Sequence, residues 1–195
     1  MKTKLIPLFS LLLLVACGSS SNQEPTATTT IMQPAAALPT QAEAAFNADS
    51  AYAYVANQVA FGPRVPNTKA HKQCGDYLAA ELVRFGAKVY QQEASLTAYD
   101  GTRLEARNLI GSFNPEQTRR VLLFAHWDCR PYSDHDSDAA NHRKPVDGAD
   151  DGASGVGVLL EIARQLGQKA PQVGVDILFC DAEDYGKPEF VDSYK

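Results

Sequence analysis

The sequence predicts an α/β protein: a mixed, mainly parallel central sheet flanked by helices, incomplete at its C-terminal end. Two nearly continuous apolar runs, residues 121–125 (VLLFA) and 173–180 (VGVDILFC), read as strands buried on both faces. Between them, residues 152–166 place Val156, Leu159, Leu160 and Ala163 at helical spacing. A helix joining two such strands implies a parallel, right-handed crossover. Upstream, Asp100-Gly101 separates two strand-like runs and signals a hairpin, which makes the sheet mixed.

The N-terminal residues have a different character. Residues 1–17 combine a basic start, Lys2 and Lys4, with an apolar stretch from Leu5 to Val15. That stretch is too short to cross a hydrocarbon core of ~30 Å as a helix, and it has the form of a secretory signal. Its ending, Leu14-Val15-Ala16-Cys17, resembles a bacterial lipobox, which implies lipidation at Cys17. The expected product is exported and lipid-anchored to a membrane of the bacterial cell envelope. Residues 18–45 are rich in Ser, Thr, Pro, Gln and Ala and read as a disordered tether. The domain follows over residues 46–195.

Its first helix is capped by Asn47 or Asp49 and carries Tyr52, Val55 and Val59 on one face. Gly62-Pro63 ends it, and the loop through Arg64 to Pro66 reads as a connector. A second helix over residues 68–85 has Tyr77, Leu78, Leu82 and Phe85 as its apolar stripe, with Gly86 as its stop. His71, in its first turn, reads as a surface histidine. Residues 87–98 and 104–113 are the hairpin strands. Residues 129–147 form a long polar loop holding Asp134, His135, Asp136, Asp138 and His142, whose crowding reads as solvated surface.

Composition narrows the function. With 195 residues, 45% apolar and 21% charged, the chain has enough material for one globular core. The net charge of −5 and the lack of a Lys/Arg-rich run argue against a nucleic-acid surface. The four cysteines, Cys17, Cys74, Cys129 and Cys180, form no CxxC pair, so a thiolate zinc site is not expected.

The chemistry gathers at the strand ends. His126 and Asp128 follow the first apolar run, Glu183 and Asp184 follow the second, and Asp150-Asp151 open the helix between them. Each has a plainer reading alone: a core histidine, a helix cap, a solvated loop. Together they place nitrogen and oxygen donors at one edge of an open sheet, where such folds build their sites. Zinc takes these donors. Neighbouring Glu183 and Asp184 cannot point the same way, so one can ligate while the other faces substrate.

These residues also carry a resemblance. His126-Trp127-Asp128, the segment Gly148-Ala149-Asp150-Asp151-Gly152-Ala153-Ser154-Gly155 and the acidic pair in Asp181-Ala182-Glu183-Asp184 resemble the M28-type zinc peptidase family, which contains bacterial aminopeptidases and glutaminyl cyclases. Asp181 to Gly186 and Cys129-Arg130-Pro131-Tyr132 look most like the bacterial glutaminyl-peptide cyclotransferases. The resemblance implies one zinc ion held by Asp151 and Asp184, with Glu183 as the catalytic proton carrier. The implied substrates are peptides or proteins with N-terminal glutamine, converted to pyroglutamate with loss of ammonia. A zinc aminopeptidase is the alternative, with His126 as a further ligand. A lipid-anchored, non-catalytic binding module is the alternative of another class. The resemblance also implies a histidine ligand beyond Lys195, so this chain alone is expected to bind zinc weakly and to be inactive.

Overall fold

The computed structural model describes residues 28–32 and 45–189. Cys17 and the expected signal segment lie outside the described residues. Among the described residues, five strands form one mixed sheet in the order β1-β2-β3-β5-β4. They are β1 (Thr28–Met32), β2 (Lys88–Thr97), β3 (Arg103–Phe113), β4 (Arg120–His126) and β5 (Gly174–Cys180). Three α-helices among the described residues accompany them: α1 (Ala48–Val59), α2 (Lys69–Arg84) and α3 (Ser154–Gln168).

The β2–β3 hairpin turns at Asp100-Gly101, where Gly101 has φ +84° and the Asp100 carboxylate accepts from the Thr102 amide at 2.9 Å. β5 is inserted between β3 and β4, antiparallel to the first and parallel to the second. The parallel part of the sheet is thus the β4–β5 pair. The other ladders among the described residues are antiparallel, so the hairpin contributes more than a mainly parallel sheet allows. A further difference lies in the stretch read as a tether: Thr28–Met32 pairs antiparallel with Val89–Glu93. The outer edge of the hairpin offers unpaired backbone groups that such a segment can satisfy.

Strand period 2 puts Val89, Leu109, Ile177 and Phe179 on one face, all fully buried. The helices α2 and α3 pack their apolar stripes into the same core, α2 through Cys74, Leu78 and Leu82, α3 through Val156, Leu160 and Ala163. Gly111 on β3 lets α2 approach closely: a Cβ there would lie 2.9 Å from Leu82. Likewise α1 packs on α3 at Gly157, where a Cβ would lie 2.8 Å from the Ala51 carbonyl oxygen.

Two expectations need correction. The inward face of α1 is Ala51, Tyr54 and Gln58, whereas Tyr52 is exposed. The docking surface is α3, and Tyr52, Val55 and Val59 do not face it as one stripe. β4 is also not buried on both faces. It ends the strand order among the described residues; Leu123 and Ala125 pack on the core, but Phe124 is 69% exposed.

The core is tight at the Leu82–Gly111 contact. Replacing Leu82 by alanine is expected to cost about 2–5 kcal/mol, because a fully buried leucine leaves a cavity that little can fill. Urea unfolding measures this loss.

Candidate metal centre

Parallel pairing sets the site. In the β4–β5 register His126 stands opposite Cys180, and the Trp127 amide donates to the Cys180 carbonyl at 3.0 Å. Both strands therefore stop at the same sheet edge, and their next residues lie side by side. This is the strand-end arrangement in which open α/β sheets hold ligands.

The turn after β5 is fixed from below by two buried carboxylates. Asp128 accepts from the amides of Glu183 at 3.3 Å and Asp184 at 3.1 Å. Asp181 accepts from the amides of Arg107 at 2.6 Å and Ala182 at 2.8 Å. Ala182 is held in the left-handed region at φ +59°. With their amides turned inward, Glu183 and Asp184 project their side chains to the edge.

Asp181 also pairs with His71, whose Nε2 lies 2.8 and 2.9 Å from its two oxygens. His71 is buried and stacks on Trp127 with ring centroids 4.3 Å apart. It is not a surface histidine. Its acidic partner comes from another segment, which helical spacing does not reveal.

Asp151 arrives from a tight turn. Gly148 enters it at φ +60°, Asp151 and Gly152 depart from helical geometry, and α3 begins at Ser154. Gly152 has φ +90°, and a Cβ there would lie 2.8 Å from the Asp128 carbonyl oxygen. The turn swings the Asp151 carboxylate to His126, with Oδ1 2.9 Å from Nε2. The neighbouring Asp150 is exposed and outside the cluster; its carbonyl oxygen accepts from the Ser154 hydroxyl. Asp128 belongs to the support, not to the donor group.

His126, Asp151 and Asp184 each offer a ligand atom, and these atoms lie within 4.8 Å of one another. Glu183 stands beside them, mostly exposed, with Oε2 4.0 Å from His126 Nδ1. Two buried side-chain atoms of these residues have no hydrogen-bond partner: His126 Nδ1 and Asp184 Oδ2. Nδ1 faces Asp128 at 3.4 Å without forming a hydrogen bond. Burial, then the nearby Asp151 and Asp128 charges, push the Asp184 carboxyl up to about 6. The Asp128 carboxylate beside the ring raises His126 to about 9, against the effect of burial. One imidazole and two carboxylates in a strained anionic pocket fit a zinc ion, which takes N and O donors and relieves the repulsion.

The polar loop splits in two. Asp138 caps a short 3-10 helix (Ala139–Asn141), and Asp136 accepts from the Asp138 amide at 2.8 Å and from Asn141 at 3.0 Å. Asp136 and Asp138 are exposed, as are His135 and most of the loop, while His142 is partly covered. Asp134 is not solvated surface: it is buried, gripped by Arg130 through two hydrogen bonds of 2.7 and 2.6 Å. The loop 61–66 is likewise more than a connector, since Arg64 is fully buried beneath the site. A groove of about 410 Å³, lined by Arg130, Tyr132, His135, Val146 and Asp151, opens next to the cluster. A larger cleft, about 630 Å³, lies between α2 and the hairpin and meets the support of the site through His71 and Arg107.

The pH dependence follows from the two raised groups. In metal-free protein each binds its proton more tightly folded than unfolded. The Asp184 contribution to stability is complete below its ordinary 3.8 and is lost as pH rises through about 6. The His126 contribution is complete below 6.5 and is lost as pH rises through about 9. Urea unfolding with a chelator present is expected to show both falls, and Asp184→Asn is expected to remove the first alone.

Residues 108–188 match the model of peptidase family M28. Among solved structures, a Zn-dependent exopeptidase from Parabacteroides distasonis is 77% identical, with a TM-score of 0.76 over 82% of this chain and 53% of its own. A glutaminyl cyclase from Tannerella forsythia is 71% identical, with a TM-score of 0.76 over 80% of this chain and 52% of its own. The uncharacterized protein YfbL of Escherichia coli is 30% identical over 109 residues, 56% of this chain and 31% of that protein. The chain thus spans about half the length of these solved structures and less of the curated relative. The match to peptidase family M28 covers β4, the Asp151 turn, β5 and the acidic turn, which are the segments that build the cluster.

Proposed function

We propose that the protein converts the N-terminal glutamine of peptides to pyroglutamate and releases ammonia. Asp151 and Asp184 hold one zinc ion in this reading, and Glu183 carries the proton. The observation behind it is the position of Glu183. Its carboxylate borders the donor group yet stays 64% exposed, free to meet a substrate. Likeness to a protein described as a glutaminyl cyclase supports the same reading.

Zinc, when bound, supplies a Lewis acid for the glutamine γ-carboxamide. The substrate's own α-amine is the nucleophile, so orientation replaces a second reactant. Glu183 accepts the proton released as the nitrogen–carbon bond of the ring forms. It returns that proton to the amide nitrogen as the old carbon–nitrogen bond breaks, and ammonia leaves. Asp128 keeps Glu183 in place through its amide. The groove beside Asp151 gives room to the rest of the peptide.

A zinc aminopeptidase is the second reading. The presence of His126 in the cluster favours it, because that reading uses His126 as a ligand. One assay separates the two: a Gln-initiated peptide is incubated with protein expressed from the uninterrupted reading frame. Cyclisation yields a peptide lighter by one ammonia, whereas an aminopeptidase releases free glutamine. No turnover of either kind returns the non-catalytic binding module. Glu183→Gln is expected to lower kcat by about 10²–10⁴-fold while zinc is retained.

Export and anchoring through an acylated Cys17 complete the proposal. The motif at residues 14–17 supports it, and no helix among the described residues is long and apolar enough to cross a membrane. Cys17→Ser is expected to abolish palmitate labelling in cells and to move the protein out of the detergent phase.

A further inference from the structure

Arg64 presents a physical puzzle. Its guanidinium is fully buried, and no carboxylate among the described residues forms an ion pair with it. A buried cation without a counter-ion is costly unless its N–H groups find acceptors. Here each of its three nitrogens donates to a backbone carbonyl. Nε donates to Trp127 at 3.2 Å, Nη1 to Asp147 at 2.7 Å and Nη2 to Gly148 at 2.6 Å. The Arg64 carbonyl in turn accepts from the Cys129 amide at 3.2 Å.

Those carbonyls are not a random set. Trp127 lies between His126 and Asp128 at the end of β4. Asp147 and Gly148 enter the turn that delivers Asp151, and the Gly148 carbonyl also accepts from the Ala153 amide at 3.1 Å. Gly148 has no room for a side chain, since a Cβ would lie 2.8 Å from Nη2 and 2.5 Å from Cys129 Sγ. One planar, forked cation thus ties the His126 segment to the Asp151 segment. Through Asp128 it also reaches the amides of Glu183 and Asp184. An apolar side chain of equal size would fill the space but would leave the two segments free to part.

We propose that Arg64 is a positioning residue that sets the spacing of the metal-binding side chains, and with it the affinity and geometry of the bound cation. It touches neither cation nor substrate. The inference rests on the metal-centre part of the proposed function and is independent of the reaction catalysed there.

Co²⁺ is the probe, because its visible ligand-field bands report coordination geometry. Protein from the uninterrupted reading frame is stripped of metal and titrated with Co²⁺. Arg64→Met is expected to weaken Co²⁺ binding about 10–100-fold, the range for outer-shell partners of metal ligands, and to shift the band. Arg64→Lys, which keeps the charge but not the fork, is expected to recover part of the affinity. Leu82→Ala serves as the comparator: it loses stability in the core and is expected to keep the parent band.

A folded Arg64→Met protein with the parent's affinity and band overturns the proposal. So does a Leu82→Ala protein whose band shifts as far. Should Arg64→Met not fold, Arg64→Lys decides, with about tenfold weaker binding expected and parent-like binding overturning it. A parent that takes up no Co²⁺ overturns the metal reading and this inference together. A parent that binds Co²⁺ but leaves glutaminyl peptides unchanged removes only the cyclase reading.

Discussion

Asp128 is a carboxyl group buried beneath the site. Burying a carboxylate is costly unless its oxygens are hydrogen-bonded, and the donors it finds are the amides of Glu183 and Asp184. Asp181 repeats the arrangement one turn away, with the amides of Arg107 and Ala182 and the ring of His71. Between the two anions Ala182 sits in left-handed geometry, which costs a non-glycine residue about 1–2 kcal/mol. Hydrogen bonds from the same turn to both carboxylates offset that strain. The outcome is geometric: inward amides force the acidic side chains outward, to the edge where β4 and β5 end together.

Opposite this turn, Asp151 reaches the edge by other means. Its approach uses Gly148 and Gly152 in positive-φ geometry, with Gly152 against the Asp128 carbonyl. The two candidate ligands are therefore unlike. The Asp184 side chain is 12% exposed and Asp151 71% exposed. Desolvation falls on Asp184, which is why its carboxyl is the one held up near 6. The protein thus holds one carboxylate in an unfavourable environment and offers the other at the surface. A divalent cation between them recovers the lost solvation of the first without desolvating the second.

Local signals reveal the hairpin, α2, α3 and β5, because the Asp100-Gly101 turn, the 3.6-residue repeat of the helices and a continuous apolar run need no knowledge of neighbours. The edge carboxylates are legible for a related reason: strand ends and a helix start are local features. The supports are not. His71 and Asp181 are 110 positions apart, and the contacts of Arg64 run to positions 63 to 84 residues away. Nothing local distinguishes these groups from surface charges. A signal was nonetheless available at Arg64, since a cation between two prolines in an apolar loop is badly placed for solvent. The exposure of β4 was equally out of reach, because an apolar strand carries no record of how many neighbours it has. The same holds for Thr28–Met32, whose pairing depends on the free edge of β2.

Arg130 bears on how many cations this edge accepts. It is immobilised by the bidentate grip of buried Asp134, which holds that carboxyl well below the usual range. From there Nη1 lies 3.8 Å from Asp184 Oδ1. The guanidinium therefore occupies the electrostatic field of one Asp184 oxygen and leaves Oδ2, the atom without a partner, for a metal. A second divalent ion on Asp184 would approach a fixed positive charge. Each unit of like charge at about 4 Å costs about 4 kcal/mol at an effective dielectric constant of about 20. His126 adds to this barrier while it remains protonated. This charge distribution supports the single-ion arrangement of the proposed cyclisation, in which Asp151 and Asp184 would share the ion and Glu183 would act on a substrate instead of on a bridging water.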